Sequence, residues 1–107
     1  MHPESRLTPE EAEVLYGRLL STLDETAALL RDNGGGHWAV WALTARSEIL
    51  AGDALGLQRV LGTYGGMGSF NDLVLNAPGH VNDRLSQLRT LLHDDALALK
   101  RDLGSPD

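Results

Sequence analysis

The chain is divided near its middle by a glycine-rich stretch, Thr63-Tyr64-Gly65-Gly66-Met67-Gly68-Ser69-Phe70-Asn71-Asp72. Sequence with helical periodicity lies on both sides, so the stretch separates two helical halves. Glycines adopt positive φ angles without a steric penalty, and we expect these to let the chain pass tightly over its helices. The larger side chains of the stretch, those of Tyr64, Met67 and Phe70, are then expected to anchor it in the core.

The residues before the stretch begin with a helix-start signal, Thr8-Pro9-Glu10-Glu11. Threonine can cap a helix, proline suits the first helical position, and glutamate three residues after the cap completes a capping box. Leucines follow at spacings of four and three up to Asn33-Gly34, which predicts a helix over residues 9–32. Gly17, inside this helix, predicts a close crossing with another helix.

Two shorter helices are predicted next. Residues 37–50 place Trp38, Trp41 and three smaller apolar residues on one helical face, and Asp53 caps a further helix that ends near Leu61. Beyond the glycines, Ser69 with Asp72 resembles a second capping box and favours a short helix through Leu75. A strand over the same apolar run is the alternative, but it would have no partner strand.

A last long helix is predicted over residues 80–102, and Asp95 interrupts its apolar stripe. His93, Asp94 and Asp95 are expected to form a surface cluster on it. The predicted fold is therefore an all-α bundle of four to five helices, two long (about 9–32 and 80–102) and two or three short. We expect one domain over residues 1–107, with frayed tails at 1–7 and 103–107.

Charge and composition exclude several classes of function. The formal net charge is −6, which argues against nucleic-acid binding and against adsorption to anionic lipid. It is compatible with a basic protein partner. The chain has no cysteine, its first residues lack an apolar signal segment, and no apolar run is long enough to span a membrane. We expect a cytoplasmic protein.

The glycine-rich stretch is the main candidate for a ligand or partner site. Backbone amides in such a turn, followed by a helix start, can bind an anion. The stretch lacks the lysine of a phosphate-binding loop and does not match the dinucleotide-binding pattern of three glycines after a strand. The candidate binding residues are His37, Trp38, Tyr64, Gly66, Gly68, Ser69, Asn71 and Asp72.

No residue set predicts catalysis or a metal site. Ser69 could pair only with His37 or His80, and a capping role explains this serine without chemistry. No two histidines have the spacing that would place them on one helical face; Asp72, His80 and His37 would be the nearest approach to a metal site. We expect no enzyme activity, no metal and no cofactor.

The run from Tyr64 to Asp72 resembles a core motif, Tyr-Gly-Gly-Met-Gly-Ser-x-Asn-Asp, of a group of small bacterial proteins of unknown function. His37-Trp38-Ala39 is in keeping with that group, and the resemblance spans about residues 9–102. It implies that the stretch is a family feature, and it implies no activity.

The functional expectation follows from composition and from the missing catalytic set. We expect a non-enzymatic, acidic, cytoplasmic interaction module, and an immunity or antidote protein that blocks a basic toxin would be one form of it. The alternative is a domain that binds an anionic metabolite with the loop at 64–72. A homodimer is also compatible with the sequence, through an apolar stripe that includes Leu91 and Ala98.

Overall fold

The computed structural model describes residues 7–62, 70 and 73–103, except the side chain of Leu103. These residues form four α-helices, and no strand occurs among them, which confirms the all-α prediction. The helices are α1 (Pro9–Asp32), α2 (Gly36–Leu50), α3 (Leu55–Leu61) and α4 (Gly79–Leu103). None of these four helices has the length and apolar character that crossing a bilayer requires.

The start of α1 has the predicted capping box. The Thr8 hydroxyl accepts from the backbone N–H of Glu11 at 3.1 Å, and the Glu11 carboxylate accepts from the N–H of Thr8 at 2.8 Å. These two bonds satisfy backbone donors that have no partner within the helix. The helix ends at Asp32, as the sequence predicts.

The four helices pack in a closed ring in which each contacts two neighbours most extensively: α1 packs on α2 and α4, and α3 packs on the same two helices. Aliphatic side chains fill the space between them. The fully buried leucines and valine are Leu19, Leu23, Leu30, Val60, Leu85, Leu88, Leu92 and Leu99. Burial of each such side chain stabilises the fold by about 1.5 to 3 kcal/mol.

The connection from α2 to α3 depends on two glycines. Gly52 has φ of 78°, a conformation that side chains rarely adopt, and it lets the chain reverse after Leu50. At Gly56 a β-carbon would lie 2.6 Å from Cγ1 of Ile49 and 2.9 Å from its backbone nitrogen. The absence of a side chain at this position lets α3 approach α2 closely.

Two local predictions are wrong. The segment Leu73–Leu75 is not helical, so the short helix expected through Leu75 does not form there; the proposed cap residues Ser69 and Asp72 lie outside the described residues. Gly17 marks no helix crossing either, because a β-carbon added there would meet no atom within 4 Å. Gly17 lies on an exposed face of α1.

The prediction for Asp95 is also wrong, because this residue is buried and does not belong to a surface cluster. It is 2% exposed, and both its carboxylate oxygens accept from Arg18 of α1, at 2.7 Å and 2.6 Å. The hydrogen bonds and charge of Asp95 raise the pKa of Arg18 further above its ordinary value. The acidic residue in the stripe of α4 is therefore the partner of a cation on the neighbouring helix.

A second ion pair joins the same two helices nearer the solvent. Arg84 of α4 donates to both carboxylate oxygens of Glu25 of α1, at 2.6 Å and 2.7 Å. These hydrogen bonds from Arg84 lower the pKa of Glu25 below its ordinary value of 4.5. Paired contacts of this kind fix how α1 and α4 are placed along each other.

The two partners of the buried pair should respond differently to mutation. Arg18→Met leaves a buried carboxylate without its partner, and we expect the free energy of unfolding to fall by about 3 kcal/mol. Asp95→Ala should cost about 1 kcal/mol, because the half-exposed side chain of Arg18 can be hydrated instead. Urea denaturation at neutral pH measures both; equal losses would contradict this account.

The Glu25–Arg84 pair should make stability depend on pH. Because the pKa of Glu25 is lower in the folded state, its contribution is complete above the unfolded value of 4.5 and is lost as pH falls through the folded pKa. The free energy of unfolding of Glu25→Gln should therefore fall less than that of the wild type between about pH 5 and pH 3. Glu13→Gln, at an exposed glutamate of the same helix, is the control and should retain the wild-type slope.

Candidate functional site

The described part of the glycine-rich stretch ends in an aromatic cluster. The ring of Phe70 is fully buried, and its centroid lies 5.3 Å from that of Trp38 and 4.6 Å from that of Trp41. Tilted contacts at these distances are favourable between aromatic rings. Phe70 thus anchors the stretch in the core as predicted, whereas Tyr64 and Met67 lie outside the described residues.

Polar side chains of α4 bind the backbone of this anchor and of the segment that follows it. Arg89 donates from Nη1 to the backbone oxygen of Phe70 at 2.9 Å, and its guanidinium carbon lies 5.9 Å from the ring centroid. The amide of Asn82 binds both backbone groups of Leu75: it accepts from the N–H at 2.8 Å and donates to the C=O at 2.9 Å. The N-terminal half of α4 therefore serves as the support for this segment.

The other side of the cluster is tied to α3. Trp41 donates from Nε1 to the backbone oxygen of Arg59 at 3.3 Å. The Arg59 side chain in turn donates to both carboxylate oxygens of Glu48, at 2.6 Å and 2.9 Å, and lowers the pKa of that carboxyl. These contacts hold α2 and α3 together at their exposed edge.

The structure places few of the predicted binding residues. His37 is exposed at the start of α2, edge-on to the half-buried Trp38 with ring centroids 5.5 Å apart. The remaining six predicted residues are outside the described part of the chain: Tyr64, Gly66, Gly68, Ser69, Asn71 and Asp72. Within the described part, no group of three histidine, aspartate or glutamate side chains could hold a metal ion.

A different surface, which the sequence analysis missed, lies on the outer side of α2. Five exposed residues follow one another along the helix at spacings of four, three, four and three, and we call them the α2 seam: Gly36, Val40, Leu43, Ser47 and Leu50. Val40 is 65% exposed, Leu43 46% and Leu50 63%. This alternation of spacings is typical of the seam along which two helices pack.

The α2 seam and its exposed neighbours His37 and Thr44 carry no formal charge, in a chain of which 22% of the residues are charged. The two charged residues of α2 lie at its sides and are already paired. Arg46 is 2.6 Å from the Asp24 carboxylate of α1, and Glu48 binds Arg59 of α3. Nothing on this outer face requires a charged partner.

In α2 most of the buried apolar side chains are small and the exposed ones are large, which is the reverse of what core packing favours. Three of the four buried residues of α2 are alanines, Ala39, Ala42 and Ala45. The larger Val40, Leu43 and Leu50 face solvent instead. A helix that is apolar on all sides is usually buried on all sides, so the outer face of α2 has the character of a surface that becomes covered.

The α2 seam ends at a cavity. Leu50 belongs both to the seam and to the wall of an open pocket of about 350 Å³ between α1 and the α2–α3 connection. The pocket is large enough to receive an apolar side chain. Its lining residues are Tyr16, Ile49, Leu50, Gly52, Asp53, Ala54 and Leu57.

The aromatic cluster can be tested by shortening its central ring. Phe70→Ala should lower the free energy of unfolding by about 3 to 5 kcal/mol, because it removes a fully buried ring. Trp38 and Trp41 are the two tryptophans of the chain, so their fluorescence emission should shift to longer wavelength as water reaches them. Val74→Ala is the control; Val74 is 75% exposed, and neither quantity should change.

Comparison with known proteins gives one finding. A family described as a domain of unknown function (DUF6966) matches residues 31–82, just under half of the chain. This segment contains α2, α3, the glycine-rich stretch and the first residues of α4. Neither the curated proteins nor the solved structures gave a match. Over its central segment the chain is similar to a family of uncharacterised domains, and that segment includes the α2 seam.

Proposed function

We propose that this protein is a non-enzymatic interaction module that binds a partner helix along the α2 seam. The observation that carries the proposal is the combination of exposed Val40, Leu43 and Leu50 with alanines on the buried side of the same helix. We place it in the cytoplasm of a bacterial cell, in keeping with the motif resemblance and the composition.

The energetic basis of binding is the removal of these side chains from water. Full burial of a valine or leucine side chain contributes about 1.5 to 3 kcal/mol, and the three seam residues are now between 46% and 65% exposed. A partner helix with its own apolar stripe can cover them together, because seam positions at alternating spacings of three and four face one side.

The pocket beside Leu50 provides a concave site at one end of the α2 seam. Binding energy at protein interfaces concentrates where an apolar anchor fills a well-defined pocket. Tyr16 of α1 and Leu57 of α3 both line this pocket. We infer that one large apolar side chain of the partner enters here and sets the register of the complex.

An immunity or antidote role is a narrower form of the same proposal. It is favoured by the net charge of −6 and by the exposed acidic residues Glu10, Glu11 and Glu13 at the start of α1. Because the α2 seam itself is uncharged, attraction to a basic partner would act from the rim and speed association more than it strengthens the final complex.

The alternative, a metabolite-binding domain built on residues 64–72, gains no support from Phe70. That residue is the described part of the loop, and its ring is buried against two tryptophans and does not line an opening. The pocket at the α2–α3 connection is lined by neither His37 nor Trp38, the two predicted binding residues that the structure describes.

The test is capture of a partner by variants that differ only in the seam. Tagged wild type, Leu43→Glu and Val14→Glu are expressed in cells of the organism that encodes the chain, together with an untagged copy, and each is cross-linked in the cell before capture so that a micromolar complex is retained. Val14 is the control because it is a 66% exposed valine on α1. A stoichiometric partner, either another protein or the untagged copy, should accompany the wild type and Val14→Glu and be absent with Leu43→Glu.

Circular dichroism should show that all three proteins are equally helical. The proposal is overturned if no stoichiometric partner is recovered, or if the same partner remains bound to Leu43→Glu.

A further inference from the structure

We infer that the occupant of the α2 seam is a second copy of this chain, related to the first by a two-fold axis. The inference rests on the proposed function, since it names the partner of the same surface. Three observations support it: the spacing of the seam residues, the lack of charge on the seam and the exposure of its side chains.

The pattern of the seam is self-complementary. With spacings of four and three, Val40 and Ser47 occupy one of the two repeating seam positions, and Gly36, Leu43 and Leu50 occupy the other. A β-branched residue at the first position with leucine at the second is the combination that favours pairs of helices. Two copies of the seam would bring aliphatic side chains against aliphatic side chains.

Repulsion between like charges favours the α2 seam over the acidic parts of the surface as the contact between two copies. Two chains of net charge −6 repel each other, and acidic surfaces such as the start of α1 would meet with like charges. At the α2 seam the nearest charged side chains of the helix, Arg46 and Glu48, are held within each chain by Asp24 and Arg59. The outer face of α2 therefore lets two copies approach without bringing unpaired charges of that helix together.

The exposure of α2 distinguishes it from the stripe on α4 that the sequence suggested for self-association. Leu91 and Ala98 of α4 are both partly buried within the bundle, so less of their surface remains to be covered. Val40 and Leu50 each keep more than 60% of their surface exposed. The dimer interface is therefore assigned to α2.

The length of the seam limits how strong the dimer can be. A helix of 15 residues is about 22 Å long, enough for two repeats of the seam. Such a contact is smaller than the roughly 800 Å² per partner of a standard stable interface. We expect a reversible dimer with a dissociation constant in the micromolar range, roughly 10 to 100 µM.

The test is sedimentation equilibrium of the purified chain over a range of about 5 to 500 µM. The average mass should rise from 11.5 kDa towards twice that value as concentration increases. Leu43→Glu should remain at the monomer mass throughout, and Val14→Glu should follow the wild type.

A second variant is designed to strengthen the interface. An increase in dimerisation cannot be caused by unfolding of the chain. Ser47→Leu completes the apolar seam and should lower the dissociation constant by about tenfold or more, because a polar residue at this seam position weakens pairing. Ser86→Leu is the matched control, at an exposed serine of α4, and should leave the dissociation constant unchanged.

Two results would overturn the inference, and one of them leaves the proposed function intact. If the pure chain is a monomer at every concentration while another protein is captured through Leu43, the seam binds a different partner. If a dimer forms that Leu43→Glu leaves intact or that Ser47→Leu does not strengthen, the copies meet through another face.

Discussion

The close approach of α1 and α3 to α2 is the constraint on which the rest of the structure depends. It requires very small residues on the buried side of α2, and Ala42 and Ala45 are fully buried there. At Gly56 even a methyl group would collide with Ile49. Alanines occupy most of the buried side of α2, so much of the bulk of this helix lies on its outer face, and a large ring from the loop, Phe70, packs against its two tryptophans. The close packing around α2 thus accounts both for the stability of the core and for the exposed α2 seam.

Polar contacts select one helix arrangement among those that apolar packing allows. Leucine stripes on α1 and α4 would pack in several registers, whereas the bidentate pair between Arg18 and Asp95 accepts one. Asn82 performs a similar task for the segment after the glycine-rich stretch, by binding both backbone groups of Leu75. Each of these side chains lies on a long helix and fixes a neighbouring element in place.

The features of this fold that depend on local sequence could be predicted, and those that depend on tertiary contacts could not. The capping box at Thr8 and the end of α1 at Asp32 follow from nearest neighbours along the chain. The burial of Asp95 could not be read from α4 alone, because its partner lies 77 residues away. The spacing of Ser69 and Asp72 predicts a helix through Leu75, but in the segment Leu73–Leu75 the backbone groups bind Asn82 and Phe70 instead. The spacing of the α2 seam was visible in the sequence, yet its exposure was not, since both sides of that helix are apolar.

The pairing of the first helix with the last has a consequence for how the chain is synthesised and folded. Contacts such as Arg18 with Asp95 and the Leu7 backbone with Asp102 span 77 and 95 residues. Because α4 follows the other three helices along the chain and synthesis adds about 5 to 20 residues per second, the apolar face of α1 stays uncovered by α4 for several seconds. The α2–α3 hairpin, whose contacts are local, can form during that interval. Closure of the ring by α4 is then the late event, because its contacts with α1 join residues far apart along the chain.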